Sequence, residues 1–119
     1  MTVYGCNMIR DDREEFVEGV KAIDPIFKRG DLDAFWPMLH ALMSMAPDRV
    51  DLAKKKSHYL ASLAVRSLAR GEAGAALEFL DYADRILNPR ALSRFLLEER
   101  RDIRQSADEA LRAQSPSVG

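Results

Sequence analysis

The chain has 119 residues, 47% of them hydrophobic and 31% charged, with 18 bases against 19 acids, a net charge of −1 and one cysteine. That apolar content excludes a disordered polymer, and the length is one domain's worth of chain, enough to hide roughly two-thirds of its unfolded surface. No run approaches the roughly 18 apolar residues of a membrane span, and the first ten residues hold no apolar signal core. A lone Cys6 forms no internal disulfide, which points to a reducing, cytoplasmic setting.

The periodic stretches all read helical. In the first, acids Asp11, Asp12, Glu14 and Glu15 precede Phe16, Val17, Val20, Ile23 and Phe27, and Lys28 and Arg29 come last. That charge order suits the helix dipole. Pro25 removes a donor, so a kink or break is expected near Asp24. Gly30-Asp31 closes this helix and opens a second carrying Leu32, Phe35, Trp36, Leu39, Leu42 and Met43, with Asp31 or Asp33 as cap. Pro37 is comfortable only in a first turn and limits how early the second helix starts.

A third helix is expected from about 48 to 70, apolar over well over half its circumference, with Lys54-Lys55-Lys56 read as a solvated charge run. After Gly71-Glu72 a fourth carries Ala76, Phe79, Leu80, Ala83, Ile86 and Leu87. Asn88-Pro89 then reads as cap and first position of a fifth helix running to about Arg112. The expected organisation is a loose arm over 1–9, one helical domain over 10–112 and a frayed tail over 113–119. The expected fold is all-α, five helices in two antiparallel pairs plus a C-terminal capping helix.

The two hairpins repeat, offset by 41 residues at Gly30 and Gly71 and by 42 at Pro47 and Pro89. The second has Leu60, Leu63, Ala64 and Ser67, then Gly71 at the turn, then Ala76, Leu80 and Ala83. This large-and-small pattern resembles a tetratricopeptide repeat, although Leu60 and Ser67 stand where that family has tryptophan and tyrosine. The first hairpin matches poorly, because Gly19 and Phe35 occupy positions that want a large and a small residue. A generic helical bundle is the alternative. The resemblance implies a concave partner-binding groove, which carried over by position falls on Val17, Val20 and Phe27 in the first unit and on His58, Ala61 and Val65 in the second. Trp36 and Met43, within a methionine-rich second helix, are further candidates for an adaptable surface.

Chemistry is sparse. His40 and His58 have no metal-ligand spacing, Cys6 has no basic neighbour, and the sequence holds no nucleophile elbow or phosphate loop. We expect no catalytic residues, no metal and no cofactor. The fifth helix is more informative: Arg90, Arg94, Arg101, Arg104 and Arg112 fall within roughly an 80° arc at about 100° per residue. Glu98, Asp102 and Glu109 run beside them and Asp108 interrupts the strip itself, so it reads as a solvated face, as a docking strip for an acidic partner or, less favoured, as a nucleic-acid contact. An apolar face of Leu92, Leu96, Ile103, Ala107 and Ala110 is expected almost opposite, with Glu99 out of place beside it, at the edge of the core or meeting a base from another helix or subunit. The net charge conceals an asymmetry, since residues 1–47 hold five bases and eight acids, and 48–119 hold 13 and 11.

The leading expectation is an adaptor- or chaperone-like module that buries a partner's segment in a groove between helix pairs. A regulator acting through the arginines and a structural homo-oligomer paired through the last helix are the alternatives. The partner is another protein or a second copy, with nucleic acid disfavoured and no membrane contact expected.

Overall fold

The computed structural model describes residues 11–47 and 49–114; the expected arm, with Cys6, and the end of the tail lie outside them. The described residues are all-α, without strands, and comprise five α-helices: α1 (Asp12–Lys28), α2 (Leu32–Met43), α3 (Val50–Ala69), α4 (Ala73–Ile86) and α5 (Arg94–Gln114). No helix among them is long and apolar enough to cross a membrane. The chain divides into two compact units, Met1–Leu52 and Ala53–Gly119. Counted by unit, the first carries six bases and ten acids (net −4) and the second twelve bases and nine acids (net +3).

The turns that end α1 and α3 are built alike. Gly30 (φ +82°) and Gly71 (φ +80°) both lie in the left-handed region, where a side chain is strained. Around each, two backbone bonds close the same motif: Gly30 and Asp31 N–H donate to Phe27 and Ile26 C=O, and Gly71 and Glu72 N–H to Leu68 and Ser67 C=O. This is the Schellman pattern, which satisfies the last carbonyls of a helix and turns the chain sharply. The repeated glycines therefore mark a repeated turn geometry.

In the first unit, Asp11 caps α1 by accepting the Arg13 N–H at 3.0 Å, and Asp31 caps α2 by accepting the Ala34 N–H at 3.2 Å. Pro25 does not break α1, which runs through it, and Pro37 does not delay α2, which begins at Leu32 with Pro37 well inside it. The carbonyls these prolines leave without an N–H belong to Lys21 and Asp33, both exposed residues where water can serve the orphan. Helices α1 and α2 pack together through Phe16, Ile23 and Phe27 against Phe35, Leu39, Leu42 and Met43. The Phe27 and Phe35 rings meet at 5.4 Å and 52°, a tilted pair. A Cβ on Gly19 would lie 2.5 Å from Leu42 Cδ1, so the mismatch with the repeat pattern is a complementary arrangement: glycine admits the leucine, and the large Phe35 packs on Phe27.

An ion network joins the start of α1 to Arg49 and the first turn of α3. Arg49 contacts Asp51 at 2.8 Å and Asp12 at 3.2 Å, while Arg13 contacts Asp11 at 2.9 Å and Asp51 at 3.7 Å. Hydrogen bonding from Arg13 holds the Asp11 carboxyl below its ordinary value, and hydrogen bonding from Arg49 does the same for Asp51.

In the second unit, α3 buries Tyr59, Leu60, Ala61, Leu63 and Ala64, together with Lys56, Ser57 and Ser67. That wide arc matches the expectation of a helix apolar over more than half its girth. Lys56 departs from the solvated run expected of the three lysines: Lys54 and Lys55 are exposed, but Lys56 is buried, and burial pushes its ammonium pKa down. The quoted repeat positions Leu60, Leu63, Ala64, Ser67, Ala76, Leu80 and Ala83 are all buried. Small residues beside large ones are what any closely packed helix pair requires, so this burial fits a bundle as well as a repeat.

The entry to α5 also differs from the reading of Asn88-Pro89. Asn88 caps a short 3-10 turn, Pro89–Ala91, by accepting the Arg90 N–H at 3.0 Å. Ser93 then caps α5, its Oγ accepting the Leu96 N–H at 3.3 Å. Helix α5 therefore starts at Arg94, packs on α4, and leaves Arg90 on the turn before it.

Candidate arginine cleft between α4 and α5

The groove residues carried over from the repeat pattern have unlike environments. In the first unit Val17 is exposed, Val20 half-buried and Phe27 completely buried; in the second His58 and Val65 are exposed and Ala61 is buried. Phe27 and Ala61 are packing residues, and offer a partner no surface. Trp36 is half-buried and Met43 lies in the core.

The arginines are arranged otherwise. On α5, Arg94, Arg101 and Arg112 lie within roughly 20° of one another over roughly 27 Å of helix axis, and all three are exposed. Arg94 meets Glu98 one turn on at 3.6 Å, a surface pair worth only a few tenths of a kcal/mol. Arg104 sits about a quarter-turn away and faces α4, where it reaches Asp81 at 2.9 Å and Asp84 at 2.8 Å. Burial works against its charge, and the bonds to Asp81 and Asp84 outweigh that and raise its pKa.

The residue that organises this surface is Arg100, which the strip omits. Its side chain is only 7% exposed, and its Nη1 donates to Asp84 Oδ1 at 3.0 Å. The buried side of α5 is accordingly rotated from the one expected. Arg100 and Ala107 are buried, whereas Leu96, Ile103 and Ala110 are half-buried; Leu92, also buried, lies before the helix. Glu99 is half-buried, and its Oε1 is shielded from water without a hydrogen-bond partner among the described residues. Phe95, 71% exposed, stands clear of the core altogether.

Leu97, Arg100, Arg101 and Arg104, with Asp84 of α4, line a small open cleft of about 180 Å³. On α5 these four have the i, i+3, i+4, i+7 spacing of one helix face, and on α4 Asp81 and Asp84 are one turn apart. That double spacing is a signal readable from the sequence: two acids a turn apart on one helix and a run of arginines on the next. The cleft is below the roughly 300 Å³ at which sites for drug-sized ligands begin. Its size suits a single side chain or a small anion.

The lining carries three guanidinium groups against one carboxylate. Asp84 engages Arg100 and Arg104, and Asp81 takes a second bond from Arg104, so both side chains are held in place. Arg101 has no ion-pair partner among the described residues, and Arg100 Nε is buried without an acceptor. The arrangement can hold an anion; it offers no nucleophile or paired acid and base. Among the described residues no group of three His, Cys, Asp or Glu could hold a metal ion. No protein-family model, curated protein or solved structure matches the chain.

Proposed function

We propose that this protein is a non-catalytic, cytoplasmic interaction module, adaptor-like in its action, that engages an acidic segment of another protein through the α5 surface of its second unit. The observation that carries this reading is the Arg94, Arg101 and Arg112 row beside a cleft with surplus positive charge, in a unit of net charge +3. Opposite charge steers encounter and fixes register more than it adds affinity. The exposed acids Glu98, Asp102 and Glu109 on the same helix make the positive zone one residue wide, and Asp108 interrupts it between Arg101 and Arg112. A nucleic-acid backbone, which rewards broad neutralisation of many phosphates, is a poorer fit to such a zone.

The test is a fluorescence anisotropy titration of a labelled Glu-Ala repeat peptide, its Gln-Ala counterpart and a short DNA duplex. The reading expects saturable, salt-sensitive binding of the Glu-Ala peptide, weakened by the charge reversals Arg94→Glu with Arg112→Glu. Equal binding of all three probes, or tighter binding of the duplex, would contradict it.

A further inference from the structure

We infer that the cleft lined by Asp84, Leu97, Arg100, Arg101 and Arg104 is the specificity pocket of this surface, and that it takes one glutamate side chain of the partner. The inference rests on the proposed reading of α5 and names what that surface recognises. Three features converge. Arg100 and Arg104 are pinned by Asp81 and Asp84, so little side-chain entropy remains to be lost on binding. Arg101, on the same lining, has its donors unengaged by any carboxylate among the described residues, and its planar fork matches a carboxylate bidentately. Leu97 gives the cleft an apolar wall against which a side-chain stem can lie while its charged end meets the arginine.

The size of the cleft and the resident carboxylate define the occupant further. About 180 Å³ admits one side chain, and with Asp81 and Asp84 both set against the three arginines the excess is one positive charge. A glutamate cancels that excess and places methylenes beside Leu97. A phosphate dianion would overshoot it, and brings strongly hydrated oxygens and no apolar stem. Asp84 also repels a dianion about twice as strongly as a monoanion. The recognition chemistry is thus a monoanionic carboxylate on a short aliphatic arm, with Arg101 as the residue that receives it.

The experiment follows the arginine Nε–Hε resonances of the whole chain by NMR while a blocked Glu-Ala peptide, its Asp-Ala counterpart or inorganic phosphate is added. Arg101→Gln and Arg94→Gln are measured beside the unaltered chain; both residues are exposed, so neither change removes packing. The inference expects the Glu-Ala peptide to shift the Arg101 signal, with Arg101→Gln weakening binding about tenfold and Arg94→Gln less than about twofold. Equal weakening by the two variants would leave the charged row as the binding surface and overturn the pocket. Tighter binding of phosphate than of peptide would overturn the choice of ligand. Failure of the unaltered chain to bind any acidic peptide would overturn the proposed function itself.

Discussion

Asp84 holds Arg100 on one carboxylate oxygen and Arg104 on the other, at 3.0 and 2.8 Å. The two ends of the Arg100 pair differ sharply in environment: the arginine side chain is 7% exposed and the aspartate 55%. Removing the aspartate therefore leaves a charge stranded in the interior, whereas removing the arginine leaves a carboxylate that water can reach. We predict that Asp84→Ala costs about 2 kcal/mol, discounted for the aspartate's exposure, and that Arg100→Met costs less than half as much. Urea unfolding followed by far-ultraviolet circular dichroism measures both; a larger loss for Arg100→Met would refute the asymmetry.

Gly19 and Leu42 form the close approach of the first unit. A side chain at position 19 requires Leu42 to move, since Leu42 Cδ1 lies 2.5 Å from where its Cβ would stand. Gly19→Leu should lower stability by about 2 kcal/mol despite the better helix propensity of leucine. Adding Leu42→Ala should recover part of that loss, because the two changes act on one shared space. Strictly additive losses in the double variant would show that the contact is not the cause.

Phe27 and Val65 separate packing from surface. Phe27 is fully buried against Phe35, and Phe27→Ala should cost about 3 to 5 kcal/mol. Val65 is 48% exposed, and Val65→Ala should stay within about 0.5 kcal/mol. Trp36 is the chain's one tryptophan and lies in the first unit, so its emission reports on that unit during unfolding. An unchanged tryptophan transition in Phe27→Ala would contradict the core assignment.

Acid should loosen the start of α1. Asp11 and Asp51 both have lowered folded pKa values, through the bonds from Arg13 and Arg49. The unfolded carboxylates bind protons first, so this contribution is fully present above the ordinary value of about 3.9 and is lost as pH falls through the lowered folded values. The Trp36 urea midpoint should therefore fall modestly below about pH 4, because both carboxylates are solvent-screened. Asp51→Asn should flatten that slope, and an unaltered slope would count against the network.

The helices were readable because apolar spacing and turn chemistry agree: Gly30 and Gly71 end helices as Schellman glycines, and Asp31 caps as its side chain allows. Pro25 and Pro37 lie inside unbroken helices because the cost of a proline depends on whether water reaches the orphaned carbonyl, which spacing alone does not say. At Asn88 the cap was correct but served a 3-10 turn, and Ser93 supplied the second cap that starts α5. The cleft was half legible. The arginine spacing was plain, but a helical wheel assigns charge to solvent, and only packing on α4 reveals that Arg100 goes inward to meet Asp84. Lys56 escaped notice for the same reason.

The central claim is that the α5 surface, with its cleft, binds acidic segments. Backbone amide shifts of the uniformly labelled chain, recorded during addition of the Glu-Ala peptide, test it most directly. The account predicts that the shifted amides cluster at residues 81–85 and 94–104. Shifts centred instead on Val17, Val20 and their neighbours in α1, or a spectrum indifferent to the peptide, would contradict it.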